Sequence, residues 1–222
     1  MIALLTWLFK KYAMPAIGRY KGNRALKLAR NAAACMLLLM HYGTAVAQEQ
    51  TVKYNILHSG KVVGHLDFYQ KRDGESLYLK MISEVKMRFI FSIKVNCNEE
   101  STFQSGRLVS SHVLRNVNGK EKANRQTIAT GNAYQTIAEG KNGTLNQNIS
   151  SNLMLLYNHE PVDNAQVYSD NFQQFLQVKK TGSHIYRIDL PDGNYNYYTY
   201  ANGICSKVDI HHSLYTIQIQ LA

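Results

Sequence analysis

The sequence predicts an all-β fold, mainly antiparallel, built as a curled meander sheet or partly open β-barrel with at most one or two short helices. Three observations lead there. Apolar and polar side chains alternate with the period of two that marks a half-buried strand along most of residues 48–222. Residue pairs that tolerate positive φ interrupt the alternation at intervals suited to hairpins. Helical periodicity is nearly absent.

The first 47 residues read as an export signal. They hold seven basic residues (Lys10, Lys11, Arg19, Lys21, Arg24, Lys27, Arg30) and no acidic one. An apolar stretch follows from Ala32 to about Met40, and Ala45-Val46-Ala47 stands before Gln48 in the A-x-A pattern. Cleavage is expected between Ala47 and Gln48, leaving residues 48–222 as one β-rich domain in the periplasm or outside the cell. A membrane anchor needs about 20 apolar residues, and His41, Tyr42, Gly43 and Thr44 cut this run short. Met1–Phe9 is a second apolar run, which makes Met14 an alternative start. Cys35 opens the apolar stretch, whereas a lipid-bearing cysteine would close it.

Removing the leader changes the charge argument. Of the +10 on the whole chain, residues 48–222 keep 18 basic against 15 acidic side chains, a net of +3. A nucleic-acid-binding domain would carry its positive excess in the folded part, so no nucleic-acid partner is expected.

Within the domain, Val62, Gly64, Leu66 and Phe68 fall in one phase, with His65, Asp67 and Tyr69 in the other. From Leu77 to Cys97 the odd positions are apolar except Ser83, while Lys80, Glu84, Lys86, Arg88, Lys94 and Asn96 occupy even ones. A single strand of that length would run about 70 Å, against a usual 3–10 residues. The region therefore reads as two strands joined by a bend near Met87–Phe91, or as one strongly coiled strand. Turns are expected at Ser59-Gly60, Asp73-Gly74, Asn118-Gly119, Asn142-Gly143, Asp192-Gly193 and Asn202-Gly203. Strands near 184–190, 194–201, 204–211 and 213–221 follow, with a tight turn at His211-His212. Ser150 or Ser151 is placed to cap a short helix over Asn152–Tyr157, ended by Pro161. Tyr168–Val178 reads equally as an amphipathic turn or a strand.

Two cysteines remain in the domain, Cys97 and Cys205, in a compartment where disulfides form. A bridge would close a loop of about 108 residues and stabilise by roughly 4–5 kcal/mol. Alternation argues for two thiols instead. Cys97 shares a phase with Ile93 and Val95, whereas Cys205 is out of phase with Ile204, Val208 and Ile210.

Catalytic patterns with the spacing their chemistry requires are missing from residues 48–222. His159-Glu160-Pro161 lacks the second histidine of a zinc hydrolase helix, and the domain has no G-x-S-x-G elbow. Glu99 and Glu100 are adjacent, so on a strand they point to opposite faces and read as solvated edge charges. His211-His212 also diverge, and a metal would need help from His184 or Asp209. Tyr195, Tyr197, Tyr198 and Tyr200 place aromatic rings on both faces of one strand, which suits sheet packing. The expectation is a protein with no catalytic residues, no metal and no cofactor.

Several local patterns, taken in order, resemble a known family: Tyr54-x-Ile56 with Gly60-Lys61-x-x-Gly64, then Leu156-Tyr157-x-x-Glu160-Pro161, then Pro191-Asp192-Gly193 with Tyr198-x-Tyr200-x-Asn202-Gly203. They look like the exported bacterial proteins of domain-of-unknown-function family 6134, of Bacteroidetes type. The resemblance covers nearly all of residues 48–222 and brings no catalytic residues with it. More distantly, the layout is similar to exported open-barrel proteins whose curled sheet wraps an apolar cavity, such as lipoprotein carriers.

Two functions from different classes follow as expectations. One is a non-enzymatic exported protein binding a lipid or other apolar or amphipathic molecule, with Met81, Met87, Phe89 and Phe91 lining the cavity. Methionine adapts to irregular partners, and it also simply fills cores. The other is a structural or interaction module of the cell envelope with a filled core, docking an envelope protein on a strand edge.

Overall fold

The computed structural model describes residues 47–88, 92–213 and 215–222. The export signal predicted over residues 1–47 lies outside them except for Ala47; Gln48 is the first residue of a strand.

Fourteen strands form one antiparallel sheet: β1 (Gln48–His58), β2 (Lys61–Asp73), β3 (Ser76–Arg88), β4 (Ser92–Gln104), β5 (Arg107–Val117), β6 (Lys120–Thr130), β7 (Ala133–Ala138), β8 (Lys141–Leu145), β9 (Gln166–Ser169), β10 (Gln174–Gly182), β11 (Ile185–Asp189), β12 (Tyr195–Ala201), β13 (Ile204–His212) and β14 (Tyr215–Leu221). Sequential strands are neighbours except β8 and β9. The pairing of β1 with β14 joins the β2–β8 arm to the β13–β9 arm, so β8 and β9 are the two edges. The sheet is open, and its ends are drawn together by side chains. In the turn after β9, the Gln173 side-chain amide donates to the backbone carbonyls of Gln126 (2.8 Å) and Ile137 (3.1 Å), on β6 and β7. Such curling is how an antiparallel sheet buries one face without closing its ladder.

The long in-phase run resolves into two strands. β3 and β4 pair in unbroken register from Ser76↔Gln104 to Arg88↔Ser92, so the two strands form a hairpin. Their odd positions face the core and their even, charged positions face outward. Tyr168–Val178 is also strand, split by a turn between β9 and β10.

Two bulges overturn the expected phase. Ile56 pairs with Gly64 but Leu57 with Val62, leaving Val63 as an extra residue. Leu66 and Phe68 point inward and are buried, while Val62 is turned out and 54% exposed. Likewise Thr199 pairs with Lys207 and Tyr200 with Cys205, so Ser206 is extra. That insertion puts Cys205 on the same buried face as Val208, contrary to the alternation.

Turn positions follow the sequence with two exceptions. Ser59-Gly60, Asn118-Gly119 and Asn202-Gly203 each carry two successive positive φ values, as a two-residue hairpin requires. Asn142-Gly143 instead lies inside β8, and the turn before it is Glu139-Gly140, at φ 46° and 78°. His211 and His212 belong to the last rungs of β13 rather than to the turn.

Between β8 and β9 the chain enters the curl and acts as a plug. Its backbone is tied on both sides: Leu108 N donates to Ile149 O at 2.8 Å, and Tyr168 N to Ser151 O at 2.9 Å. The expected short helix is a 3-10 turn, Leu153–Tyr157. Its cap is Asn152 rather than a serine, with Asn152 Oδ1 accepting from Leu155 N at 3.3 Å. Ile149, Met154, Leu156 and Tyr157 are buried against Tyr54, Phe68, Leu79 and Tyr200. Tyr157 stacks on Phe68 at 5.9 Å between ring centroids and meets Tyr54 edge-on at 5.3 Å.

Candidate functional site: the inner face around Glu99 and Asp170

Register fixes which side chains meet on the inner face. Across β3–β6 three successive rungs read Ser83–Cys97–Arg115–Ala123, Met81–Glu99–Val113–Arg125 and Leu79–Ser101–Ser111–Thr127. Polar groups thus gather on a face that is otherwise apolar. Such groups are costly to bury without hydrogen bonds, and the plug and the turn after β9 supply most of them.

In the lowest rung Ser101, Ser111 and Thr127 are all buried. Thr127 Oγ1 and Tyr168 Oη are 3.0 Å apart. Asn152 Nδ2 donates to Ser101 Oγ (2.9 Å) and to Asp170 Oδ2 (2.8 Å), and Ser101 Oγ lies 3.4 Å from Met154 Sδ. Among the described residues Asp170 Oδ1 and Ser111 Oγ are buried without a hydrogen bond of good geometry, although Ser111 stands close enough to act on the Asp170 carboxyl. Burial pushes the Asp170 carboxyl up to about 7; the nearby Glu99 charge adds to the rise, while Ser111 and Asn152 oppose it.

The two upper rungs are only partly buried at Met81, Ser83, Cys97, Glu99 and Arg115 although all five face inward. Burial raises the Glu99 carboxyl above the usual range, with the Cys97 thiol and the Arg115 charge working against it. Cys97 Sγ lies 3.5 Å from Glu99 Oε1. Burial, and next the Glu99 charge, pushes the Cys97 thiol up, so it is a neutral thiol at pH 7 and a poor nucleophile. Arg115 donates to Asn171 Oδ1 at 3.3 Å, and Arg125 is bonded to Glu139 and to Asn171 O. Beyond this zone the apolar Val85 and Met87 on β3, and the half-buried Ile93 and Val95 on β4, continue toward the hairpin end.

Of the residues expected to line a cavity, Met81 sits in the Glu99 rung, half-buried and paired in register with Phe68 on its other side. Met87 is buried, and Phe89 and Phe91 lie outside the described residues. Cys97 and Cys205 are free thiols. They sit on β4 and β13, with β3, β2, β1 and β14 between them in the sheet order. Burial raises the Cys205 thiol to about 12. Glu99 and Glu100 diverge as expected but are not edge charges: β4 lies between β3 and β5, Glu99 faces the interior, and Glu100 pairs outside with Lys80 at 2.8 Å. The sequence reading missed Ser101, Ser111, Arg115, Asn152 and Asp170. One signal for them was available, since Glu99 and Ser101 continue the inward phase of Leu77–Cys97.

The other singled-out residues lie elsewhere. His211 stacks on Tyr195 at 4.6 Å and His212 on Tyr215 at 4.5 Å. Tyr195 and Tyr197 face outward with Arg187, whereas Tyr198 and Tyr200 are buried inside. His184 Nδ1 and Tyr186 Oη meet Glu160 at 3.0 and 2.8 Å. Among the described residues no group of three or more His, Cys, Asp or Glu is placed to hold a metal ion. A groove of about 610 Å³ runs over the outer face of β2 and β3, lined by Val62, Gly64, His65, Asp67, Ile82 and Glu84.

The motifs that carry the family resemblance converge on the plug. Tyr54 Oη donates to Cys205 O at 3.0 Å and lies 3.3 Å from Tyr157 O, and Tyr200 Oη donates to Leu156 O at 2.9 Å. Glu160, just past the plug, takes the Tyr186 hydroxyl.

None of the curated proteins compared matches this chain. Among solved structures, the crystal structure of a beta-barrel-like protein of domain of unknown function 1849 from Brucella abortus is similar at 10% sequence identity and a TM-score of 0.49, covering 80% of this chain and 96% of that one. Residues 54–222 match the family described as domain of unknown function 6134, and the chain belongs to that family.

Proposed function

We propose that this is an exported, non-enzymatic binding protein that holds an amphipathic molecule in the mouth of its curled sheet. One observation supports the reading above others: the plug covers only part of the inner face. Leu79, Ser101 and Phe103 are buried, yet Met81, Ser83, Cys97 and Glu99, one or two rungs further along the same two strands, are only partly buried. A mouth of this kind offers a polar floor (Glu99, Cys97, Arg115) beside an apolar wall (Met81, Val85, Val95), which is the pattern of a small-molecule site. Export is supported by the leader and its A-x-A pattern. Native mass spectrometry of the protein purified from its own cell envelope tests the reading. A bound molecule of a few hundred daltons, lost on organic extraction, is expected. An empty protein that also fails to bind an environment-sensitive apolar probe overturns it.

A second reading, an envelope module with a filled core, is supported by the plug itself, because Ile149, Met154, Leu156 and Tyr157 occupy the interior that a larger cavity would need. The two readings separate on the same experiment, since a module binds neither ligand nor probe.

A further inference from the structure

We infer a second site, on the outer face of β3–β6, whose ligand is a short neutral saccharide laid across those strands. It is separate from the mouth and does not depend on it.

Register sets two outward rungs side by side: Tyr78–Thr102–Ser110–Ile128 and Lys80–Glu100–His112–Gln126. Here the sheet surface is hollowed by about 240 Å³, and the hollow is lined by Tyr78, Glu100, Thr102, Ser110, His112 and Gln126, with Ile128 at its border. From β3 to β6 it crosses three strand spacings, roughly 14 Å. A volume below the roughly 300–1,000 Å³ of a drug-sized pocket, stretched over four strands, suits a thin, extended ligand.

The lining is held in place by its neighbours. Lys80 Nζ sits 2.8 Å from Glu100 Oε1, and Asn98 Nδ2 donates to the same oxygen at 3.3 Å. The Lys80 bond, working against burial, keeps the Glu100 carboxyl below its usual range. Asn124 Nδ2 donates to Glu121, which leaves Asn124 Oδ1 to accept from His112 Nε2 at 3.1 Å. In the neutral ring Nδ1 is then an acceptor. Tyr69 meets Tyr78 edge-on at 6.1 Å between ring centroids.

The chemistry of these groups selects the ligand. Glu100 is the charged side chain of the lining and Lys80 already matches it, so an ion of either sign gains little. Thr102 and Ser110 each offer a hydroxyl, and Gln126 a carboxamide, that both donate and accept. A sugar hydroxyl does the same, whereas an ammonium only donates and a carboxylate only accepts. Thr102, Ser110 and the tethered His112 have little side-chain freedom to lose on binding. Tyr78 at one end of its rung and Ile128 at the other supply the apolar surface that the C–H faces of a pyranose ring need.

Saturation-transfer difference NMR of the purified protein with maltotriose, cellotriose and tri-N-acetylchitotriose tests the inference. At least one is expected to bind with a Kd in the millimolar range or tighter. On the unmutated chain, the amide shifts moved by that saccharide should centre on Tyr78, Thr102, Ser110, His112 and Gln126, so a variant that fails to fold does not block the result. Tyr78→Ala and His112→Ala should each weaken binding about tenfold or more, whereas Tyr195→Ala, on the other arm, should leave it unchanged. N-phenyl-1-naphthylamine, an apolar probe for the mouth, should not compete. No saccharide bound at millimolar concentration, shifts centred elsewhere, competition from the probe, or a stronger response to hexylamine or hexanoate overturns the site. Its failure leaves the mouth reading standing, and failure of the mouth reading leaves this site standing.

Discussion

Asn152 and Asp170 meet inside the curl at 2.8 Å, and with the second bond of Asn152, to Ser101 on β4, this contact joins the plug, the turn after β9 and the inner face of the sheet. Asp170 accepts with one oxygen and keeps the other buried, with Ser111 beside the carboxyl. Its carboxyl is pushed up to about 7 from an ordinary 3.8.

That shift fixes the sign of a pH effect. As pH rises past 4 the unfolded chain gives up the Asp170 proton while the folded chain keeps it, so this group's contribution to stability falls between about pH 4 and pH 7 and is level above. Three pKa units correspond to on the order of 4 kcal/mol. Asp170→Asn removes the buried charge, keeps an acceptor for Asn152 Nδ2 and supplies a donor facing Ser111. Urea unfolding at pH 8 should find it about 2–4 kcal/mol more stable than the parent, with the difference shrinking toward pH 4. A variant less stable at both pH values would mean that Asp170 is ionised and well solvated in the folded protein.

Asn152→Ala should act in the opposite direction. Its Nδ2 serves two buried acceptors and its Oδ1 caps the 3-10 turn. Losing these leaves Ser101 and Asp170 short of a donor at a cost of about 3 kcal/mol. The plug should also open locally, so hydrogen exchange over residues 149–157 should rise more than over β1–β3.

How much of this was legible depended on whether the contacts were local. The strands and most turns follow from alternation and from pairs such as Asn202-Gly203, because both are properties of neighbouring residues. The bulges at Val63 and Ser206 leave no local mark, yet each reverses every side chain beyond it; this is why Val62 and Cys205 were assigned to the wrong faces. Asn142-Gly143 has ideal turn chemistry but lost to Glu139-Gly140, where pairing of β7 with β8 from Ala138↔Lys141 decides the register. Glu99 and Ser101 were readable as polar residues in an apolar phase. Asp170 was not, because only the folding of the β9–β10 turn onto β4–β6 brings a loop carboxyl to that rung.

Gly64→Ala should be among the most damaging small substitutions. At Gly64 the sheet passes so close that an added Cβ would lie 2.1 Å from the Glu84 carbonyl oxygen. Backbone on the paired strand cannot rotate away as a side chain would, so β2 and β3 must separate locally. A loss of about 2–4 kcal/mol is expected in denaturant unfolding. A loss below about 1 kcal/mol would show that the Val63 bulge absorbs the strain.

The two methionines on β3 should part company. Met87 is 7% exposed and belongs to the core, so Met87→Ala removes well-packed contacts and should cost about 2–5 kcal/mol. Met81 is half-buried between Phe68 and Glu99, at the border between the plugged and the open parts of the inner face. It is less enclosed than Met87, and its truncation should cost no more than about 1.5 kcal/mol. If that open side receives the apolar part of a bound amphiphile, Met81→Ala should weaken displacement of N-phenyl-1-naphthylamine by dodecanol several-fold, whereas Met87→Ala should leave the affinity of the still-folded fraction nearly unchanged. Unfolding curves and probe titrations on both variants decide it. Equal large stability losses at the two positions, with no probe bound by the parent, would place Met81 in a closed core and favour the filled envelope module.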